Sequence, residues 1–228
     1  MKNQIKHVFF DLDHTLWDFD RNSGLTFEKI FSLNKIEVTL HDFLSIYEPI
    51  NLNYWKLYRE EKVTKSALRY GRLREAFDGV GVVVEDDMIH HLSQAYIDNL
   101  SSFNHLFTGT IEILDYLKEK YQLHIITNGF EEAQDKKITT SNIKQYFKTI
   151  TNSDMVGVKK PNPKIFNFAL ELAKAKPHES IMIGDSLEAD IEGAHKIGMD
   201  TIHFDYNDAH NSHGYKRVTN LKTLINHL

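Results

Sequence analysis

Asp11 and Asp13 lie two residues apart, directly behind the short apolar run Val8-Phe9-Phe10, and Thr15 follows at the same spacing. In extended backbone that spacing turns both carboxylates to one side. Leu123-His124-Ile125-Ile126 runs into Thr127-Asn128-Gly129, and Ile181-Met182-Ile183 runs into Gly184-Asp185-Ser186, with Asp190 shortly after. Lys159 and Lys160 precede Pro161. Carboxylates brought together repel, so each would protonate or move away unless a cation sat among them. An oxygen-only ligand set suits magnesium, a hard cation that takes one or two carboxylates and keeps several waters. Such a metal, faced by a hydroxyl, glycine-opened backbone and an ammonium, matches the needs of a phosphoryl group, whose charge it would balance in transfer. One carboxylate can attack phosphorus while another moves a proton, which splits the reaction into two easier steps.

These groups need elements that bring them to one place. The first strand is expected over Ile5 to Phe10. Helices are expected at Thr110 to Lys120, Glu131 to Ser141, Pro163 to Ala173 and Glu188 to Ile197. Strands are expected at Leu123 to Ile126, Phe147 to Thr151, Ile181 to Ile183 and Thr201 to Phe204. Asn162 and Pro163 open the third of those helices as cap and first residue. Alternation of this kind implies an α/β fold with a parallel sheet covered on both faces. Between the first strand and this series, apolar residues recur at helical spacing from about Arg21 to Leu100. The sequence therefore predicts a core of residues 1–18 and 104–228, interrupted by a helical domain over 19–103. Ligands of open parallel sheets bind outside the carboxyl ends of the strands, and each candidate group stands at such an end.

Each motif has an ordinary structural reading by itself. Asp-x-Asp-x-Thr arises by chance in roughly one chain of this length in thirty. Thr127-Asn128-Gly129 alone reads as a turn, Lys159-Lys160 as a solvated pair, and Ser186 with Glu188 and Asp190 as the start of a helix. Their joint placement, each at its own strand end, carries the chemical reading. The pairs His90-His91 and His210/His213 read as surface histidines.

Composition narrows the classes. Among 228 residues, 27 Lys plus Arg stand against 32 Asp plus Glu, a formal net charge of −5, with no basic run to offset it. That balance argues against a nucleic-acid polymer or an anionic membrane surface as partner. The absence of cysteine removes disulfides, thiolate catalysis and cysteine metal sites. No apolar stretch approaches the roughly 20 residues of a membrane span, and the amino terminus does not read as a signal peptide. Cytoplasm is the expected compartment, and a monomer or small homo-oligomer the expected state.

Phe9-Phe10-Asp11-Leu12-Asp13-His14-Thr15-Leu16, Ile126-Thr127-Asn128-Gly129, Lys160-Pro161 and Gly184-Asp185-Ser186-Leu187-Glu188-Ala189-Asp190 resemble the four ordered motifs of the haloacid dehalogenase superfamily. The helical block resembles that superfamily's C1-type cap, so the resemblance covers essentially the whole chain. It implies a Rossmann-like core with strand order 3-2-1-4-5 and magnesium as cofactor. By the resemblance, Asp11 is the nucleophile and Asp13 the general acid, then base. Thr127, Asn128 and Lys160 would hold phosphoryl oxygens. Asp11, Asp185 and the carbonyl of Asp13 would coordinate the metal. Thr15, Ser186 and Asp190 would support these groups from behind, Asp190 by holding metal-bound water or orienting Lys160. An acid at position 13 favours a phosphatase over the metal-free dehalogenases.

Ile126-Thr127-Asn128-Gly129-Phe130, Val156-Gly157-Val158-Lys159-Lys160-Pro161-Asn162, and Trp55-x-x-Tyr58 with Leu68-x-x-Gly71-Arg72 are similar to the house-cleaning 5′-nucleotidases of the superfamily, which act on pyrimidine nucleoside monophosphates. Trp17 and Tyr54 are then candidates to meet the base, and Arg72 to make a polar contact. The alternatives are a sugar-phosphate phosphatase resembling the N-acylneuraminate-9-phosphatases, a phosphomutase, or a binder of phosphorylated ligands without turnover.

Overall fold

The computed structural model describes residues 5–208 and 214–228; His210 and His213 lie outside the described residues. Strand β1 (His7–Phe10) is buried along its whole length, as a strand covered on both faces must be. Helices α1 (Phe19–Asn34), α2 (Leu40–Arg59), α3 (Lys65–Val80) and α4 (Asp86–Leu100) follow without an intervening strand. The remaining elements alternate up to two doublings, α7 with α8 and β5 with β6: α5 (Thr110–Lys118), β2 (Gln122–Thr127), α6 (Glu131–Thr140), β3 (Phe147–Asn152), the short α7 (Ser153–Val156), α8 (Pro163–Ala173), β4 (Ser180–Gly184), the short α9 (Gly193–Lys196), β5 (Asp200–Phe204) and β6 (Lys216–Val218). Among the described residues, no helix is long and apolar enough to cross a membrane.

The chain forms two compact units, one of residues 1–19 and 104–228 and one of Asp20–Phe103. In the first, the sheet order is β3-β2-β1-β4-β5-β6 and every pairing is parallel. The expected order 3-2-1-4-5 is present, and β6 extends it at the edge. Phe10 stands level with Ile125 on one side and Ile183 on the other. Asp11 continues the ladder by one bond, its N–H donating to the Ile183 carbonyl at 2.9 Å. Three neighbouring strands thus end side by side. Phe9, Ile126, Met182 and the buried residues Ile165, Phe166, Ala169 and Leu170 of α8 form an apolar core. Helix α8 starts as expected, with Pro163 at its first turn and the Asn162 side chain accepting from Lys164 N–H.

The helix expected over Glu188 to Ile197 is instead a π-helical turn, Leu187–Glu192, followed by four-residue α9. Ser186 caps that turn, its hydroxyl accepting from Ala189 N–H at 3.2 Å, and the wide turn places Asp190 for the role described below. Wide turns of this type concentrate at functional positions.

The second unit is a helical bundle with an aromatic centre. Phe27 packs 4.7 Å from the rings of both Tyr47 and Tyr96, and Phe43 packs 5.1 Å from Phe77, distances typical of favourable edge and offset contacts. The Thr64 side chain caps α3, and Gly81 ends it with φ +72°, a conformation glycine adopts without penalty.

Two of the sheet's histidines lie side by side on neighbouring strands. His7 Nδ1 and His124 Nε2 are 3.1 Å apart, and His124 Nδ1 is 2.8 Å from the Thr149 hydroxyl. Burial, and then the neighbouring His7, push the His124 pKa down to about 4; burial also lowers that of His7. A histidine with a depressed folded-state pKa costs stability as pH falls, because the unfolded chain binds the proton first. For His124 the loss begins near 6.5 and is complete near 4, amounting to about 3 kcal/mol. Urea unfolding of the wild type and His124→Gln should therefore diverge in pH dependence across that window, with the shallower acid loss in the variant. Identical slopes would contradict the assignment.

Candidate active site

The carboxyl ends of β1, β2 and β4 bring Asp11, Thr127 and Asp185 to one rim. Between them lies the Lys160 ammonium, 2.5 Å from Asp11 Oδ1, 2.6 Å from Asp190 Oδ1 and 2.7 Å from the Ile126 carbonyl. Lys160 is 2% exposed and Asp190 1%, so these are charge-assisted contacts in a low-dielectric setting. The ammonium there is that of Lys160, not Lys159.

Each partner is locally fixed. Asp190 folds back over Gly184, where a Cβ would approach its carboxylate to 2.3 Å; only glycine leaves that room. Ser186 N–H donates to Asp190 Oδ2 at 3.1 Å. The Thr15 hydroxyl donates to Asp185 Oδ1 at 3.2 Å. Asn128 also fixes the lysine's main chain. Its side-chain oxygen accepts from Lys160 N–H at 2.7 Å, and its NH₂ donates to the Lys160 carbonyl at 3.0 Å. Both ends of the amide are thus engaged, and Asn128 braces the lysine's main chain.

Carboxylate oxygens of Asp11, Asp185 and Asp190 lie within 4.8 Å of one another. Burial, joined by repulsion from Asp190 and Asp185, raises the Asp11 pKa well above the usual carboxylate range despite Lys160. Burial likewise raises Asp185 to about 6; His14 works against this and Asp190 with it. Burial opposes the Lys160 charge, but Asp11 and Asp190 outweigh it and raise its pKa. One ammonium among three carboxylates leaves negative charge in excess. An all-oxygen cluster of that charge fits a hard divalent cation. Asp190 belongs to this cluster, whereas the Asp13 side chain, the neighbour of Asp11 in sequence, does not.

Asp13 meets a different group. Its Oδ1 is 2.7 Å from Lys137 Nζ, and its Oδ2 accepts from Gln134 Nε2 at 2.9 Å. Gln134 also donates to the Thr127 hydroxyl at 2.7 Å, and Gly129 N–H donates to the same oxygen at 3.2 Å. With both lone pairs of that oxygen occupied, the Thr127 O–H is left to donate. Sequence reasoning passed over Gln134 and Lys137, which lie in a helix that reads as polar and solvated.

Of the three aromatic and basic candidates, two are buried. Trp17 is fully buried and carries the Lys137 ammonium 4.4 Å from its ring; it packs within the first unit and presents no face for stacking. Arg72 is 3% exposed. It donates to Asn51 at 2.9 Å and lies over the Tyr96 ring at 5.1 Å, so it is a core element of the helical unit, not a surface cation. Tyr54 remains half-buried, its ring laid across α3 at Gly71. Its hydroxyl donates to Glu75 at 2.6 Å, and burial, with Glu75, pushes its pKa up to about 12.

Asn128→Ala should leave the main-chain N–H and carbonyl of buried Lys160 without partners, a loss of about 2 kcal/mol. Urea unfolding measures it directly. A change below about 0.5 kcal/mol would mean that the brace is dispensable.

Similarity to known proteins extends over most of the chain. The sequence profile of the haloacid dehalogenase-like hydrolases matches residues 8–204. Pyrimidine 5′-nucleotidase YjjG of Escherichia coli (strain K12) is 32% identical over 196 residues, 85% of this chain and 83% of that protein. A glyceraldehyde 3-phosphate phosphatase of Pyrococcus furiosus is 32% identical over 208 residues, 89% of this chain and 82% of that protein. The crystal structure of Bacillus subtilis YfnB bound to magnesium superposes with a TM-score of 0.89 at 26% identity, covering 99% of both chains. With its strand-end carboxylates, buried lysine and matching profile, the chain belongs to the family of haloacid dehalogenase-like hydrolases.

Proposed function

We propose that the protein hydrolyses phosphomonoesters through an aspartyl-phosphate on Asp11, and that its substrates are pyrimidine nucleoside 5′-monophosphates. The observation that carries the reaction is the buried Lys160 ammonium held against Asp11 and Asp190 beside Asp185. A carboxylate fixed by a cation at a strand end, with a hydroxyl donor at the next strand end, is arranged to receive phosphorus and hold its oxygens. Asp11, Asp185 and the Asp13 carbonyl would hold magnesium, with Asp190 behind them. Bound there, magnesium supplies the positive charge that offsets the phosphate oxygens and the excess carboxylates.

In the first step an Asp11 oxygen attacks phosphorus, and Asp13 gives a proton to the departing oxygen. In the second, Asp13 takes a proton from the water that attacks phosphorus, and Asp11 is released. Thr127 O–H donates to a phosphoryl oxygen, and Lys160 balances its charge. The nucleotide reading is supported by the likeness to YjjG and by the motif stretches around Thr127 and Lys160. The likeness to a triose-phosphate phosphatase defines the competing substrate class.

The test is kcat/KM for uridine and thymidine 5′-monophosphates against glyceraldehyde 3-phosphate and an acyl-sugar phosphate, with magnesium and with a chelator. The nucleotides should be preferred, chelation should stop turnover, and Asp11→Asn should abolish it while the fold persists. A sugar phosphate favoured by about tenfold or more, some 1.4 kcal/mol at the transition state, would overturn the nucleotidase reading alone. Turnover by Asp11→Asn would overturn the covalent mechanism.

A further inference from the structure

Helix α6 brings two polar side chains to the Asp13 carboxylate that no strand end supplies. Lys137 holds one oxygen and Gln134 the other, and the Gln134 amide also reaches the Thr127 hydroxyl. Three residues apart on a helix, the two side chains share a face. Lys137 is 3% exposed and Gln134 1%. The ammonium is otherwise walled by aromatic rings, with Trp17 at 4.4 Å and Phe19 at 5.2 Å. Burying an ammonium carries a large desolvation penalty, and an apolar side chain of similar length would fill the same box without it. What the ammonium adds is a fixed direction for the Asp13 carboxylate.

We propose that Lys137, with Gln134, is a positioning residue that sets the geometry of both proton transfers by Asp13; the inference rests on the reaction proposed above. With one carboxylate oxygen tied to each partner, the plane of the carboxylate is held, and the remaining lone pairs point in set directions. In the first step the Asp11 oxygen–phosphorus bond forms, the bond from phosphorus to the leaving oxygen breaks, and that oxygen takes the Asp13 proton. In the second, the water oxygen bonds to phosphorus, its proton passes to Asp13, and the bond from phosphorus to Asp11 breaks. Without Lys137 the carboxylate keeps only its Gln134 tie, its plane is no longer held, and both transfers lose their preset distance.

Leaving groups separate the steps. The phenolate released from 4-nitrophenyl phosphate needs no proton, so its first step does not depend on Asp13, while the second step is common to all substrates. Rapid mixing of Lys137→Met with 4-nitrophenyl phosphate should give a burst near one equivalent, beyond any seen in the wild type. A steady rate lowered by about tenfold or more should follow. With uridine 5′-monophosphate, kcat should fall at least as far without a burst, and KM should stay within about threefold. Lys137→Arg should restore most of the rate. Gln134→Leu should reproduce the burst, and it decides the matter if circular dichroism shows Lys137→Met unfolded. Equal losses on both substrates without a burst, rates within about twofold of wild type, or an arginine variant no better than methionine would overturn the role. Asp11→Asn assayed in parallel separates the two readings. Turnover there defeats the covalent mechanism, whereas its loss beside an unaffected Lys137→Met defeats only the positioning role.

Discussion

The Lys160 ammonium stands 2.5 Å from Asp11 and 2.6 Å from Asp190 with almost no solvent access, and much of the local architecture keeps it there. A buried charge that loses a partner typically costs about 3–5 kcal/mol, so each carboxylate must be delivered reliably. The parallel order β2-β1-β4 delivers Asp11 between its neighbours. The π turn after β4 delivers Asp190, and Gly184 leaves the space through which it reaches back. Asn128 fixes the lysine's own main chain from the end of β2. The arrangement stays short of neutral; burial first, and then repulsion among the carboxylates, raises the pKa values of Asp11 and Asp185. The same imbalance makes the site receptive to a divalent cation.

A second buried cation, Lys137, organises the other half of the site. Lys160 serves the carboxylate at the end of β1, and Lys137 serves the carboxylate two residues later. Gln134 joins the second to Thr127 through one amide. Consecutive outward turns of the chain after β1 therefore lead to two separate charge clusters. That separation would allow two aspartates so near in sequence to take the unlike tasks proposed for them.

The core and its rim were legible because their signals are local. A run of Val8-Phe9-Phe10 broken by Asp11, and the like ends of β2 and β4, state both the strand and what it delivers. The misses share a physical cause, since burial depends on partners that sequence spacing does not name. Lys137 and Arg72 sit on helices where a basic residue reads as solvated; each is enclosed by aromatic rings from elsewhere in its own unit. Trp17 reads as a ring near the nucleophile, yet it is consumed in packing. Strand β6 was missed because only Val218 of its three residues is buried, and charged residues on a short edge strand hide its pattern. The π turn has no periodic signature distinct from a helix. The one hint at Lys137 was its helical spacing from Gln134, with buried Ala133 and Ile138 beside them.

The central claim is that Asp11 itself carries the phosphoryl group during turnover. Acid quenching during steady-state hydrolysis of uridine 5′-monophosphate, followed by borohydride reduction, converts an aspartyl-phosphate to homoserine. Peptide mass spectrometry then reads its position. The account predicts homoserine at position 11 alone, dependent on substrate and absent from Asp11→Asn. Modification at Asp13, Asp185 or Asp190, or none at any aspartate while substrate is consumed, would contradict it.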